Sequence, residues 1–260
     1  MSDFFAEMNE DYAKKHFPSG SVFESASKVI KRTSIFSAIC MVLFEAAVLW
    51  GLAWAIGRTM ELMAEGRDDM LGVSIGICGV LVVVALAVLA FLWFIIKQTR
   101  KKREDYMASS AKRSKLPESE IEEFDRQALA SDCCILKLKA GLDRVLSNAG
   151  SKDGLLTRDY IYLADPAQTV IRVDNLKACC FYDYTYFITV GRRQKTVHCL
   201  AIYLLASNGV STFSDTTQKA GEALMALLKE RNSGIDTNGG KVLREGRDMD
   251  QYRKRILEGK

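Results

Sequence analysis

Only two histidines, His16 and His198, occur in the 260 residues, which leaves little scope for a Cys/His or Ser/His catalytic pair. On a strand, His198 and Cys199 would point to opposite faces and form no dyad with each other. The spacings G-x-x-x-x-G-K-[ST], G-x-S-x-G, H-E-x-x-H and G-x-G-x-x-G are all absent. A spread basic face with interleaved aromatics is also missing, which speaks against nucleic acid as a partner. These absences name no reaction and no cofactor, and the expected role is non-enzymatic.

Charge is missing where it matters most. Residues 71–96 read LGVSIGICGVLVVVALAVLAFLWFII without one charged side chain, and residues 35–57 read IFSAICMVLFEAAVLWGLAWAIG with a single carboxylate. Each run exceeds the ~20 apolar residues that cross a ~30 Å hydrocarbon core at 1.5 Å per residue. Two runs joined by a short loop predict a transmembrane hairpin. Lys28, Lys31 and Arg32 precede it and Lys97, Arg100, Lys101, Lys102 and Arg103 follow it, whereas the loop carries Glu61, Glu65, Asp68 and Asp69 against Arg58 and Arg67. The positive-inside bias then places both termini in the cytoplasm, with the cell membrane as location. The segment before the first run is too long and polar for a cleavable signal.

Small residues recur every fourth position at matching depth, as Ala47, Gly51 and Ala55 in the first run and Gly72 and Gly76 in the second. Such faces allow close backbone approach, either between the two helices or with a second copy, and the short loop favours the first. Glu45 stands about ten residues in from the cytoplasmic end, ~15 Å deep. A carboxylate there marks an intramembrane polar contact within or between hairpins, or a proton or ion relay; a relay needs further polar stations, and the second run offers only Ser74 and Cys78.

The chain is 48% hydrophobic and 26% charged with net charge +4, so after the hairpin is subtracted one soluble domain of ordinary size remains. Its mild positive excess lies at the membrane edge, where Arg100, Lys101, Lys102 and Arg103 suit anionic headgroups. Seven cysteines, an odd number, include the vicinal pairs Cys133/Cys134 and Cys179/Cys180. Reduced thiols are expected on the cytoplasmic side. Neighbours on a strand face opposite ways and zinc sites use wider spacings, so small buried apolar residues are the simpler reading, and no metal is expected.

Segment by segment, Phe4, Phe5, Met8, Tyr12 and His16 predict an amphipathic helix, broken by Pro18-Ser19-Gly20, and Ser21 with Glu24 forms a capping box that starts the helix leading into the first run. After the second run a basic helical stretch gives way to an acidic one opened by Pro117, Glu118 and Glu120. From Cys133 the period becomes strand-like, with strands expected at 135–139, 154–157, 160–163, 169–173, 178–190, 196–206 and 210–213. Turns are marked by Asp165-Pro166, by Gly191-Arg192-Arg193-Gln194 and by Asn208-Gly209, and short adjacent strands mean an antiparallel meander. Asp215 or Thr216 caps a closing helix with Ala220, Ala223, Leu224, Leu227 and Leu228 on one stripe. Expected divisions are therefore 1–33 (N-terminal helical segment), 34–97 (hairpin), 98–132 (juxtamembrane and linker helices), 133–234 (meander or partial barrel closed by a helix) and 235–260 (a polar, mobile tail with at most one short helix).

The block LLTRDYIYLADPAQTVIRVDNLKACCFYD, residues 155–183, followed by paired strands, an Asn-Gly hairpin and a closing helix, resembles bacterial two-helix membrane proteins with a cytoplasmic pleckstrin-homology-like domain. The resemblance covers roughly 135–232 together with the hairpin. It implies an α+β membrane protein whose cytoplasmic module acts in interaction or scaffolding, binding a protein partner or its own copy. Alternatives are a small oligomeric channel or transporter component built on Glu45, and an anionic-lipid module using the basic hairpin tip Arg192-Arg193. The full basic pattern with which eukaryotic relatives grip headgroups is lacking here, and a solvated turn accounts for that tip as well. Tyr182, Tyr184 and Tyr186 share one strand face, as a recognition surface or as cross-strand packing.

Overall fold

The computed structural model describes residues 4–65, 68–138, 153–165, 167–190 and 193–259. The chain forms two compact units: residues 28–101, and residues 1–27 together with 102–260. The fold is α+β, with two long apolar helices, an antiparallel sheet and a mixed sheet.

The smaller unit is a helical hairpin formed by most of α2 (Val22–Ala64) and α3 (Asp68–Thr99). Within them, Ser34–Ala64 and Met70–Lys97 are long and apolar enough to cross a membrane, with mean hydropathies of 2.1 and 3.1. Glu45, Val48, Ala55, Thr59 and Leu62 on α2 and Ser74, Ala85, Val88 and Ile95 on α3 are the buried positions. Their alternation of three and four residues is the seam of a left-handed helix pair. The small-residue faces lie mostly elsewhere. Ala55 is in the seam and Gly51 half-buried, but Ala47, Gly72 and Gly76 face outward, and a Cβ added at any of the three glycines would meet nothing within 4 Å. Val48, Val88 and Ile95 are among the buried positions of the inner half of the seam, with Glu45 and Ala85 beside them.

Among the described residues of the larger unit, nine strands build two sheets. The first is antiparallel, in the order β1 (Phe5–Glu7), β2 (Cys134–Leu136), β3 (Gly154–Leu156), β4 (Tyr160–Tyr162), β5 (Val170–Arg172). The second runs β8 (Ser211–Asp215), β7 (Arg193–Ala206), β6 (Leu176–Val190), β9 (Val242–Arg244), with β9 parallel to β6. A 3₁₀ turn at Val173–Asn175, the Asp174-Asn175-Leu176 block of the sequence, carries the chain from one sheet to the other. The remaining helices are α1 (Glu10–His16), α4 (Arg103–Ser114), α5 (Glu118–Gln127), α6 (Gln218–Arg231) and α7 (Arg247–Glu258).

The main core lies between the inner faces of the sheets and α6, where Leu136, Leu156, Ile161, Ile171, Phe181 and Leu204 meet Leu224 and Leu228. Thr217, whose side chain accepts from the Ala220 N–H, caps α6 one residue later than the sequence suggests. The helix is correspondingly turned, so that Gly221 and Met225 are buried while Ala223 and Leu227 are only partly so. Gly221 sits against the Phe181 ring, which a Cβ would overlap. Gly221→Ala is therefore expected to destabilise by about 1–2 kcal/mol despite the ~1 kcal/mol that alanine gains in helix propensity, and thermal unfolding of the full chain in detergent checks it.

Three expectations are corrected. The amphipathic helix expected from Phe4 begins only at Glu10, capped by Asn9 accepting from Tyr12 N–H at 2.8 Å. Before it, Phe5 pairs with Leu136 across β1 and β2, because the aromatic pair Phe4-Phe5 packs better on the half-covered edge of a sheet than on a helix. The strands form two sheets, one antiparallel and one mixed, where an antiparallel meander or partial barrel was expected. Most consequentially, residues 235–259 are folded: Ile235 enters the main core, β9 adds to β6, and Tyr252, Met249 and Ile256 of α7 cover the opposite face of the second sheet over Cys180 and Leu205. Pro166, Lys139, Gly191 and Arg192 lie outside the described residues, so the turns and strand end expected there are seen only in part.

Candidate functional site

Asp125 organises the points where the chain leaves and re-enters the larger unit. Its carboxylate is 3% exposed and accepts from Ser21 Oγ at 2.6 Å, from the Val22 backbone N–H at 2.7 Å and from Arg103 Nη2 at 2.8 Å. Arg103 Nε also donates to Ser21 Oγ at 3.1 Å, and Ser21 Oγ in turn caps Glu24 N–H. One buried carboxylate thus serves as external N-cap of α2 and as partner of the first residue of α4. Phe23 packs edge-on against Phe124, one residue before Asp125 in the chain. The capping serine was legible in the sequence; the carboxylate that it engages, 104 residues away, was not.

Arg103 is therefore committed to an internal ion pair, although it belongs to the cluster expected at lipid headgroups. Arg100 and Lys102 are exposed and Lys101 half-buried. Lys102 also gives its backbone N–H to Asp105 at the start of α4. Arg193 is exposed at the end of β7, and Arg192 lies outside the described residues.

In the hairpin, Thr59 Oγ1 donates to the Ala55 carbonyl at 2.8 Å and lies 2.6 Å from Ser74 Oγ. A hydroxyl has one proton, so Ser74 is the donor in the second contact. Glu45 has no such company. It is 7% exposed, and neither carboxylate oxygen has a hydrogen-bond partner among the described residues. Antiparallel helices that bring residue 59 to residue 74 bring residue 45 opposite the apolar Val88, which explains why the carboxyl stands alone.

The second sheet carries the exposed aromatic chemistry. β6 and β7 pair with each other from Leu176 to Val190, yet β9 joins β6 only at 181–183 and β8 joins β7 only at 201–205. From Tyr184 outward the pair is a two-stranded arm, with Phe187 69% and Tyr186 40% exposed. At its root, Tyr182 stacks on Tyr184 at 5.8 Å, and both set their rings against Phe213, at 5.6 and 5.4 Å. Tyr184 donates to Asp215; burial and then this carboxylate push its hydroxyl well above the usual phenol range. The tyrosine row is packing at its root and open surface at its tip.

Cys179 faces the main core and Cys180 the α7 side, so the vicinal pair does not converge. Burial pushes the thiols of Cys133 and Cys180 up to about 12 and raises that of Cys179 well above its ordinary value. His198 Nδ1 lies 3.9 Å from an Asp183 oxygen on an exposed strand face. Among the described residues no three histidine, cysteine or acidic side chains gather as a metal site would require. No protein family, curated protein or solved structure matches the chain.

Proposed function

We propose that the chain is a membrane-anchored interaction module. The hairpin crosses the cell membrane twice with both termini cytoplasmic, and the larger unit is a pleckstrin-homology-like domain that binds a protein partner or a second copy. The outward faces of both long helices, with Phe36, Leu43, Trp50, Trp54, Val73 and Trp93 more than half exposed, support the membrane reading, since such a surface is costly in water. Membrane lipids are thus the first partner.

The observation that carries the interaction reading is the β6–β7 arm. A two-stranded ribbon standing alone is marginally stable in water. This one also displays Phe187 and Tyr186, so a partner surface is what such an arm needs. A photo-crosslinking residue at 187 in the full chain, in native membranes, should give a discrete protein adduct, either with another polypeptide or at twice the chain mass. Absence of any adduct, with the arm folded, would remove this reading.

A second reading keeps Glu45. Its unpartnered buried carboxyl is what an oligomeric channel or transporter component would present, and a Glu45-dependent ion or proton flux in liposomes, lost on Glu45→Gln with assembly unchanged, would favour it.

A further inference from the structure

Two sheets have four edges, and they are not treated alike. β1, β5 and β9 are three-residue edges, and the β5 edge is capped by α4, where Ser114 Oγ accepts the Val170 N–H at 2.9 Å and Ser110 Oγ donates to the Gln168 carbonyl at 2.6 Å. β8 has five residues and nothing laid along it among the described residues. Its register shows which backbone groups are free. Ala206 N–H donates to Val210 and Thr216 N–H to Leu200, so the hydrogen-bonded rungs between β7 and β8 fall on every second residue. Thr212 and Ser214 point their backbone groups at β7, and Ser211, Phe213 and Asp215 point theirs outward.

That edge opens on a groove of about 540 Å³, walled on the far side by the loop carrying Asp165, Ala167 and Thr169. The loop is held by α4 through Ser110 and by Arg113, which donates to the Ala167 carbonyl. All five β8 residues line the groove. Thr212, one of the lining residues, is 4% exposed, and its buried hydroxyl has no partner among the described residues. Among the described residues, the charges that line the groove are the carboxylates of Asp165 and Asp215, with no lysine or arginine in its walls. Asp165 is engaged by Thr169 N–H and Oγ1, whereas Asp215 receives the Tyr184 hydroxyl on one oxygen. Beside Asp215 lie the rings of Tyr184 and Phe213.

We propose that β8 receives an extended peptide segment carrying lysine or arginine, which adds to the second sheet as a further strand. The outward backbone groups of Ser211, Phe213 and Asp215 supply ladder bonds. A cationic side chain on the outer face meets the Asp215 carboxylate and the two aromatic rings together. The proposal rests on the interaction-module reading and names the chemistry of its partner.

The test uses the full chain in nanodiscs and a fluorescein-labelled short peptide alternating valine and lysine, followed by anisotropy. Saturable binding is expected, weakened about tenfold or more by methylating the alternate peptide nitrogens that would face β8, and lost when glutamate replaces lysine. Phe213→Pro should have the same effect as methylation, since it deletes a donor that β7 does not use, and Asp215→Asn should weaken binding about fivefold. If Phe213→Pro does not fold, the methylated peptide decides alone. Equal binding of the methylated or the glutamate peptide, or no binding of the lysine peptide, overturns the proposal. A crosslink from position 187 that persists in those cases leaves the interaction reading standing without this site.

Discussion

Raising the pH from 7 to 10 should cost the larger unit on the order of 4 kcal/mol of stability, the largest effect that the structure predicts. Cys133, Cys179 and Cys180 are fully buried, and burial lifts Cys133 and Cys180 to about 12 and Cys179 well above its ordinary value. Unfolding exposes thiols that ionise near 8.5. Between that value and the folded one, the unfolded chain binds fewer protons than the native one, so stability is fully present below about pH 8.5 and falls as pH rises. Cys133 and Cys180 each contribute ~1.4 kcal/mol per pH unit in that window, or ~2 kcal/mol at pH 10, and Cys179 acts in the same direction. Tyr162, Tyr184 and Tyr252, all raised first of all by burial, extend the loss above pH 10. Thermal unfolding of the full chain in detergent at pH 7, 8.5 and 10 reads the effect. Cys180→Ala should flatten the pH dependence measurably, and a midpoint unchanged between pH 7 and 10 would contradict the burial.

The second large effect belongs to Asp125. Asp125→Ala removes an acceptor from Ser21 Oγ, Val22 N–H and Arg103 at once. Charge-assisted hydrogen bonds contribute ~1.5–3 kcal/mol each, and orphaning buried donors adds a desolvation cost. Arg103 is 41% exposed and recovers water, which holds the total to about 3 kcal/mol. Asp125→Asn keeps one acceptor oxygen and should lose about half as much. The readout is the unfolding midpoint together with proteolytic cleavage near residues 17–22, which should accelerate in Asp125→Ala as the first turn of α2 loosens.

The hairpin was legible because apolar length is a property of consecutive residues, and so were β3 to β8, whose alternation and Asn208-Gly209 punctuation are local. In that turn Gly209 takes φ +78° and Asn208 Oδ1 accepts the Val210 N–H. The helix seam was misjudged, since small residues at fourth-residue spacing mark where close approach is possible, while the heptad positions Glu45, Val48, Ala55, Thr59 and Leu62 mark where it occurs. The tail was misjudged because its polarity outweighs three apolar positions, yet Met249, Tyr252 and Ile256 recur at three and four residues between Gly246 and Gly259, a signal that could have been read. Neither the Asp125 junction nor the free β8 edge is local. The first joins positions more than a hundred residues apart, and the second depends on which strands find neighbours.

The membrane reading, on which the rest depends, is tested most directly by labelling intact cells with a membrane-impermeant maleimide. Glu65→Cys, in the exposed turn between the long helices, should be labelled from outside above the background of the parent chain, and a cysteine added after Lys260 should be labelled only once the cells are permeabilised. Labelling of the C-terminal cysteine in intact cells, or protection of residue 65, would contradict a two-span protein with its folded unit in the cytoplasm.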